Sequence, residues 1–203
     1  MSHKVILPSR TNKLDELKSD LGNHGLNTGN AKQALMQAAV KSEQMAGKGC
    51  RYIENITNGR KKDWIKNFNN NTLLRTWFGK VDRKGQVKKV RNRMRSVSRR
   101  INKGLKIRLR PQGERTSNAR NEMGHFSARK FMVFPKIFKN GIDTDKIASI
   151  YIHELVHLWF TDQKLNGEKV YDSDTAKQLA RENPKSARKS AENYERFCID
   201  LWS

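Results

Sequence analysis

His153-Glu154-Leu155-Val156-His157 is the stretch on which the reading of this chain turns. Two histidines four residues apart on a helix project from one face. At that spacing both imidazoles reach a single zinc ion, at bonds of about 2.0–2.1 Å. Glu154 follows the first histidine, so it lies off the line of the two ligands and can act on a water as general base. Asp143 or Thr144 caps a helix that runs on through Ile147, Ile150, Tyr151, Leu155, Val156 and Leu158. Such a helix is apolar on nearly every face except at the histidines and Glu154. Burying two imidazoles and a carboxylate is costly unless something binds them. The competing reading is a chance pentapeptide whose histidines are satisfied in the core.

The pattern is that of zinc peptidases. A catalytic zinc takes three protein ligands and leaves a fourth position open, so the third ligand has to be sought. The continuation with a glycine and a third histidine is absent, because Phe160 and Gln163 stand at those places. A glutamate on a later helix is a second pattern, open to Glu182, Glu192 or Glu195. A nearer candidate is Glu168, in Asn166-Gly167-Glu168-Lys169-Val170-Tyr171, where a loop after Gly167 can fold back to the metal.

At these residues the chain resembles the aspzincins, the deuterolysin and peptidyl-Lys metalloendopeptidase family. Their pattern is HExxH followed by GTxDxxYG, with the aspartate as third ligand and the tyrosine beside the scissile carbonyl. Tyr171 matches that tyrosine, and Glu168 stands three residues before it, where the family has its aspartate. Asn166 replaces the threonine and Asp172 the final glycine, which keeps Asp172, Asp174 and Glu192 in play as alternative ligands. The resemblance extends to Arg75-Thr76-Trp77-Phe78-Gly79, similar to a TWFG segment. It also extends to Asp174–Ala180, Pro184 and Ser190-Ala191-Glu192-Asn193-Tyr194-Glu195-Arg196-Phe197, similar to a phrase AxxNADxxEYF.

The resemblance implies an α+β fold: one zincin-like catalytic domain, helix-rich with a small sheet and an HExxH active-site helix. This domain is expected over residues 31–203, after an N-terminal arm or regulatory segment over 1–30. It implies one zinc per chain on His153, His157 and Glu168, Glu154 as base, and Tyr171 donating to the oxyanion. In the lysine-specific branch two acids of the last phrase line the pocket for the side chain after the cut. Glu192 and Glu195 match them, so the expected activity is peptide hydrolysis on the amino side of lysine.

Length suits one sizeable core, with 203 residues. No run of eighteen apolar residues is present, so no transmembrane helix is expected. The opening Met-Ser-His-Lys-Val-Ile-Leu-Pro is too short an apolar run for a secretory signal. The expectation is synthesis in the cytoplasm, with a toxin or effector delivered by a signal-independent route as one possibility and an unidentified inhibitor or immunity partner as another. Cys50 and Cys198 make no disulfide framework, and two reduced thiols are expected. Helical spacing covers 31–47 and 86–102, and strands are expected at Lys106–Arg110 and Phe131–Phe134. The second strand precedes the HExxH helix and is expected to hold substrate by backbone pairing.

Charge is the second strong feature. The chain carries +22 overall, yet residues 143–203 hold 11 acids and 9 bases, so residues 1–142 carry +24. Arg83 to Arg110 has thirteen Lys/Arg and no acid. Such a run suits contact with a polyanion. It also supports a rival: a basic nucleic-acid-binding protein with a non-catalytic zinc site. The run lacks aromatics, which argues against base stacking there.

Overall fold

The computed structural model describes residues 2–112, 124–127 and 130–203. Contacts divide the chain into two compact units, 1–42 with 100–151 and 43–99 with 152–203. This division differs from the expected break after residue 30.

The first unit is built on a four-stranded sheet of order β1-β2-β4-β3. The strands are β1 (Lys4–Ile6), β2 (Lys106–Leu109), β3 (Gly124–Ser127) and β4 (Lys130–Val133). β2 is parallel to both β1 and β4, and β3 is antiparallel to β4. Alternation sends Ile107, Leu109, Phe131 and Val133 into the core. There Phe131 meets the Tyr151 ring edge-on at 4.7 Å. Helix α1 (Thr11–Gly22) adds Leu17 and Leu21 to the same unit, both fully buried. Residues 1–30 contribute a strand and a helix to this unit. β4 has a neighbour on each side, so its backbone groups are already paired. The expected role of Phe131–Phe134 in pairing with substrate does not hold for that reason.

Helix α2 (Thr28–Ile56) is longer than expected, and α5 (Lys84–Asn102) closely matches its expected span. The second unit also contains α3 (Trp64–Asn70), α4 (Thr72–Phe78), α7 (Ser173–Glu182), α8 (Pro184–Ala187) and α9 (Ala191–Trp202). Its packing explains the TWFG and AENYERF phrases. Trp77 is wholly buried and its indole N–H donates to Asp200 at 2.9 Å. The Asn193 amide, also fully buried, donates to the backbone carbonyls of Trp77 at 2.7 Å and Ala176 at 2.8 Å. One side chain thus ties α4 and α7 to α9. Gly79 has φ +66, and a Cβ there would lie 2.2 Å from the Ala180 carbonyl oxygen. Only glycine permits that approach. Arg188 closes the corner by donating to the carbonyls of Phe78 and Lys80. This scaffold fixes α9, which carries Glu192 and Glu195.

The basic run is not wholly a solvated face. Arg91 lies over Trp64 at 4.6 Å, Arg93 lies over Trp159 and Phe160, and Arg95 pairs with Glu54. Lys84, Lys88, Lys89 and Arg99 remain exposed. Cys50 and Cys198 are buried free thiols, as expected. Among the described residues no helix is long and apolar enough to cross a membrane.

Candidate metal and catalytic centre

Helix α6 (Thr144–Val156) starts where expected: the Asp143 carboxylate accepts from the Lys146 N–H at 2.9 Å. Ile147, Ala148, Ile152, Leu155 and Val156 are buried, and His153 and Glu154 are partly accessible. His157 falls one residue past the helix, in a turn whose backbone bonds are long. Its N–H reaches the His153 carbonyl at 3.4 Å, and the Phe160 N–H reaches Val156 at 3.3 Å.

Each histidine is held from its outer nitrogen. His153 Nδ1 lies 2.8 Å from a Glu195 carboxylate oxygen and 3.5 Å from Glu192. His157 Nδ1 lies 3.0 Å from the Phe160 carbonyl. An ionised carboxylate and a carbonyl only accept, so both Nδ1 atoms must carry the proton. Both Nε2 atoms of the neutral rings are then bare acceptors, and they face one another at 3.0 Å. An Asp162 carboxylate oxygen lies 3.3 Å from His157 Nε2 and is a third acceptor. With both rings neutral these acceptors repel, and a shared cation removes that repulsion; a proton on His153 Nε2 is the other way to satisfy the contact. In a tetrahedral zinc site, donors at the usual bond length stand about 3.3 Å apart. The spacings from His153 to His157 and from His157 to Asp162 are close to that value.

The two rings differ in the charge they favour. Burial pushes the His153 pKa down, but the hydrogen bond and charge of Glu195, with Glu154 and Glu192, outweigh it and leave it raised. Burial lowers that of His157, which keeps this ring neutral and ready to bind metal. Burial would raise the Asp162 carboxyl, yet hydrogen bonds from Lys169 and Tyr171 hold it below its ordinary value, so it stays ionised.

The third acid is where sequence and structure part. Glu168 and Lys169 form strand β6, paired with β5 (Lys164–Leu165) in a tight hairpin. Its turn is Asn166-Gly167, both at positive φ, a primed turn of the kind such hairpins favour. Lys169 and Tyr171 both reach Asp162, at 2.7 Å and 2.9 Å. Glu168 is exposed and belongs to the alternate set. Among the described residues no hydrogen bond or ion pair joins it to the histidines. The acid that meets a histidine Nε2 is Asp162, five residues past His157. Sequence reasoning passed over it because the family spacing from Tyr171 points to 168. The alternatives fare no better: Asp172 caps α7 through Asp174, Thr175 and the Thr175 hydroxyl, and Asp174 and Glu182 are exposed.

Glu192 and Glu195 lie one helical turn apart, at 4% and 9% exposure. With His153 they form a group able to hold a cation. The His153 atom in that group is Nδ1, and Arg196 Nε already occupies Glu192 at 2.7 Å. A metal on the Nε2 side, shared by the two imidazoles, would leave Nδ1 to these acids. Glu195 on Nδ1 is then the outer carboxylate that commonly fixes a zinc-bound histidine. Tyr171 is 52% exposed, so its ring is accessible to a ligand.

Zinc peptidases are the class to which this architecture compares. A zinc peptidase from Grifola frondosa superposes with a TM-score of 0.64 over 85% of this chain and 96% of that one, at 16% identity. At that identity the likeness speaks for the fold. Comparison with curated proteins found no match. Residues 65–199 match the aspzincin family, described as lysine-specific metallo-endopeptidases. The chain belongs to that family and is a zinc metalloendopeptidase acting on protein or peptide substrates. Its cofactor is zinc.

Proposed function

We propose that this peptidase cuts on the amino side of lysine, with α6 as its active-site helix and zinc on His153, His157 and Asp162. What supports the ligand set is two Nε2 atoms 3.0 Å apart, with an Asp162 carboxylate oxygen 3.3 Å from the second of them. Zinc bound there supplies Lewis acidity toward water and the scissile carbonyl. Glu154, next to a ligand and partly accessible, takes the proton from the attacking water and passes it to the leaving amine. The Tyr171 hydroxyl, already turned toward Asp162, donates to the oxyanion as charge develops. A Glu154→Gln variant that keeps zinc and loses hydrolysis is the expected result. One that keeps full activity rejects Glu154 as the base.

For the lysine preference, the support is a charge count. Glu192 and Glu195 are buried together, and burial and Glu195 push the Glu192 carboxyl up. Arg196 supplies one positive charge against two negative ones. A buried net negative charge is costly, and an ammonium from the substrate offsets it. The exposed cations of α5, with no acid along that helix, support a separate polyanion contact outside the catalytic centre.

A further inference from the structure

We infer that Arg93, from the basic run, is a positioning residue for the metal centre: it clamps Trp159 and Phe160 so that the Phe160 carbonyl holds His157. The inference rests on the reading of His157 as a zinc ligand. His157 lies beyond the end of α6, and of the backbone bonds that close the turn carrying it three are 3.3–3.4 Å and one, from Trp159 to Val156, is 3.0 Å. Bonds that long hold a turn weakly. The one good hydrogen bond on the ring is Nδ1 to the Phe160 carbonyl at 3.0 Å. That bond selects the tautomer and aims Nε2 at His153, so the position of Phe160 decides the geometry of the ligand.

Phe160 and Trp159 belong to no helix or strand. The Arg93 guanidinium meets both rings, 4.2 Å from the Trp159 ring centre and 4.4 Å from that of Phe160. A planar cation against two aromatic faces gains from both ring quadrupoles, and more so when desolvated. Arg93 is desolvated: burial lowers its pKa, and its Nε is buried with no hydrogen-bond acceptor among the described residues. A guanidinium left partly unsatisfied against aromatic rings is hard to explain as a solvated member of a charged surface. A lysine keeps the charge but lacks the flat face.

The test uses the full chain and compares Arg93→Met and Arg93→Lys with the unaltered protein. Zinc affinity is read by chelator competition. In the zinc-free protein, the ring Nδ1–H signals of His153 and His157 are read by proton–nitrogen NMR. The expected result for Arg93→Met is zinc affinity about tenfold weaker, as for outer-shell changes, with the His157 Nδ1–H signal shifted or lost to exchange. The His153 signal, held by Glu195, should stay in place. Arg93→Lys should fall between. A general loss of packing would move both signals together and overturns the proposal, as does unchanged zinc affinity with an unchanged His157 signal. Should Arg93→Met not fold, the same readouts on Arg93→Lys decide. Separately, a His157→Ala variant that keeps zinc at full affinity rejects the underlying ligand reading rather than the role of Arg93.

Discussion

Tyr171 donates a 2.9 Å hydrogen bond to Asp162, and the other oxygen of that carboxylate lies 3.3 Å from His157 Nε2. One carboxylate thus connects the tyrosine of the family motif to the histidine pair. It does so from a position the motif does not mark.

The metal content of three variants tests that relationship. Asp162→Ala removes the third acceptor and should release most of the zinc after dialysis. Glu168→Ala, on the exposed strand of the hairpin, should keep close to one zinc per chain. Elemental analysis of the purified variants measures this. Zinc lost from Glu168→Ala and kept in Asp162→Ala returns the third-ligand role to residue 168.

Tyr171→Phe removes a hydroxyl without disturbing the buried side chains, because the ring is largely exposed. If the hydroxyl acts on the oxyanion, kcat should fall by about 10²–10³, the usual cost of one such donor. KM should change little and zinc should be retained. A fall in zinc content equal to the fall in rate assigns Tyr171 to holding Asp162 instead.

Gly79→Ala places a methyl group against the Ala180 carbonyl and Pro184, at positive φ. The obstacle is backbone, so neighbours cannot swing aside. A loss of about 3 kcal/mol or more is expected from strain and overpacking together. Urea unfolding monitored by tryptophan fluorescence measures it. A loss under about 1 kcal/mol contradicts the close approach.

Thiol titration checks the cysteines. Burial pushes the Cys198 thiol well up and also raises Cys50, and both are buried. Neither should react with an aromatic disulfide reagent at pH 8 in the native protein, since the thiolate is the reactive form. Both should react once unfolded, with or without prior reduction. No reaction in denaturant before reduction indicates a disulfide.

The helix of the HExxH stretch, its cap and the long helices were legible because apolar spacing and capping residues are local signals. The histidines and Glu154 were legible for the same reason. The contact between Asp162 and His157 was not, because it depends on an Asn-Gly hairpin that turns Lys169 and Tyr171 toward Asp162 and sets Glu168 on the alternate face. Arg93 was not either: the run it belongs to has no aromatics, and its stacking partners lie more than sixty positions away in Trp159 and Phe160. The sheet was read only in part. The expected strands are present, but β4 is central rather than an edge, since pairing across distant segments leaves no trace in either strand alone.

The lysine preference gives the most discriminating test, because Glu192 and Glu195 now carry different burdens. Glu195 holds His153 Nδ1 at 2.8 Å, whereas Glu192 is engaged chiefly by Arg196. Glu195→Gln keeps an acceptor for the imidazole but removes its charge, so zinc affinity should fall by about 10–100-fold and the lysine preference should weaken as well. Glu192→Gln should leave zinc affinity nearly unchanged and act on specificity alone. With one of two carboxylates gone, Arg196 neutralises the other, and the net negative charge that offsets a substrate ammonium disappears. Cleavage sites mapped on a denatured protein substrate should therefore lose their enrichment of lysine after the cut in Glu192→Gln. Arg196→Gln should act in the opposite sense, raising discrimination for lysine over neutral side chains. If the unaltered enzyme shows no lysine enrichment, or Glu192→Gln keeps it in full, the two acids serve only the histidine and the helix.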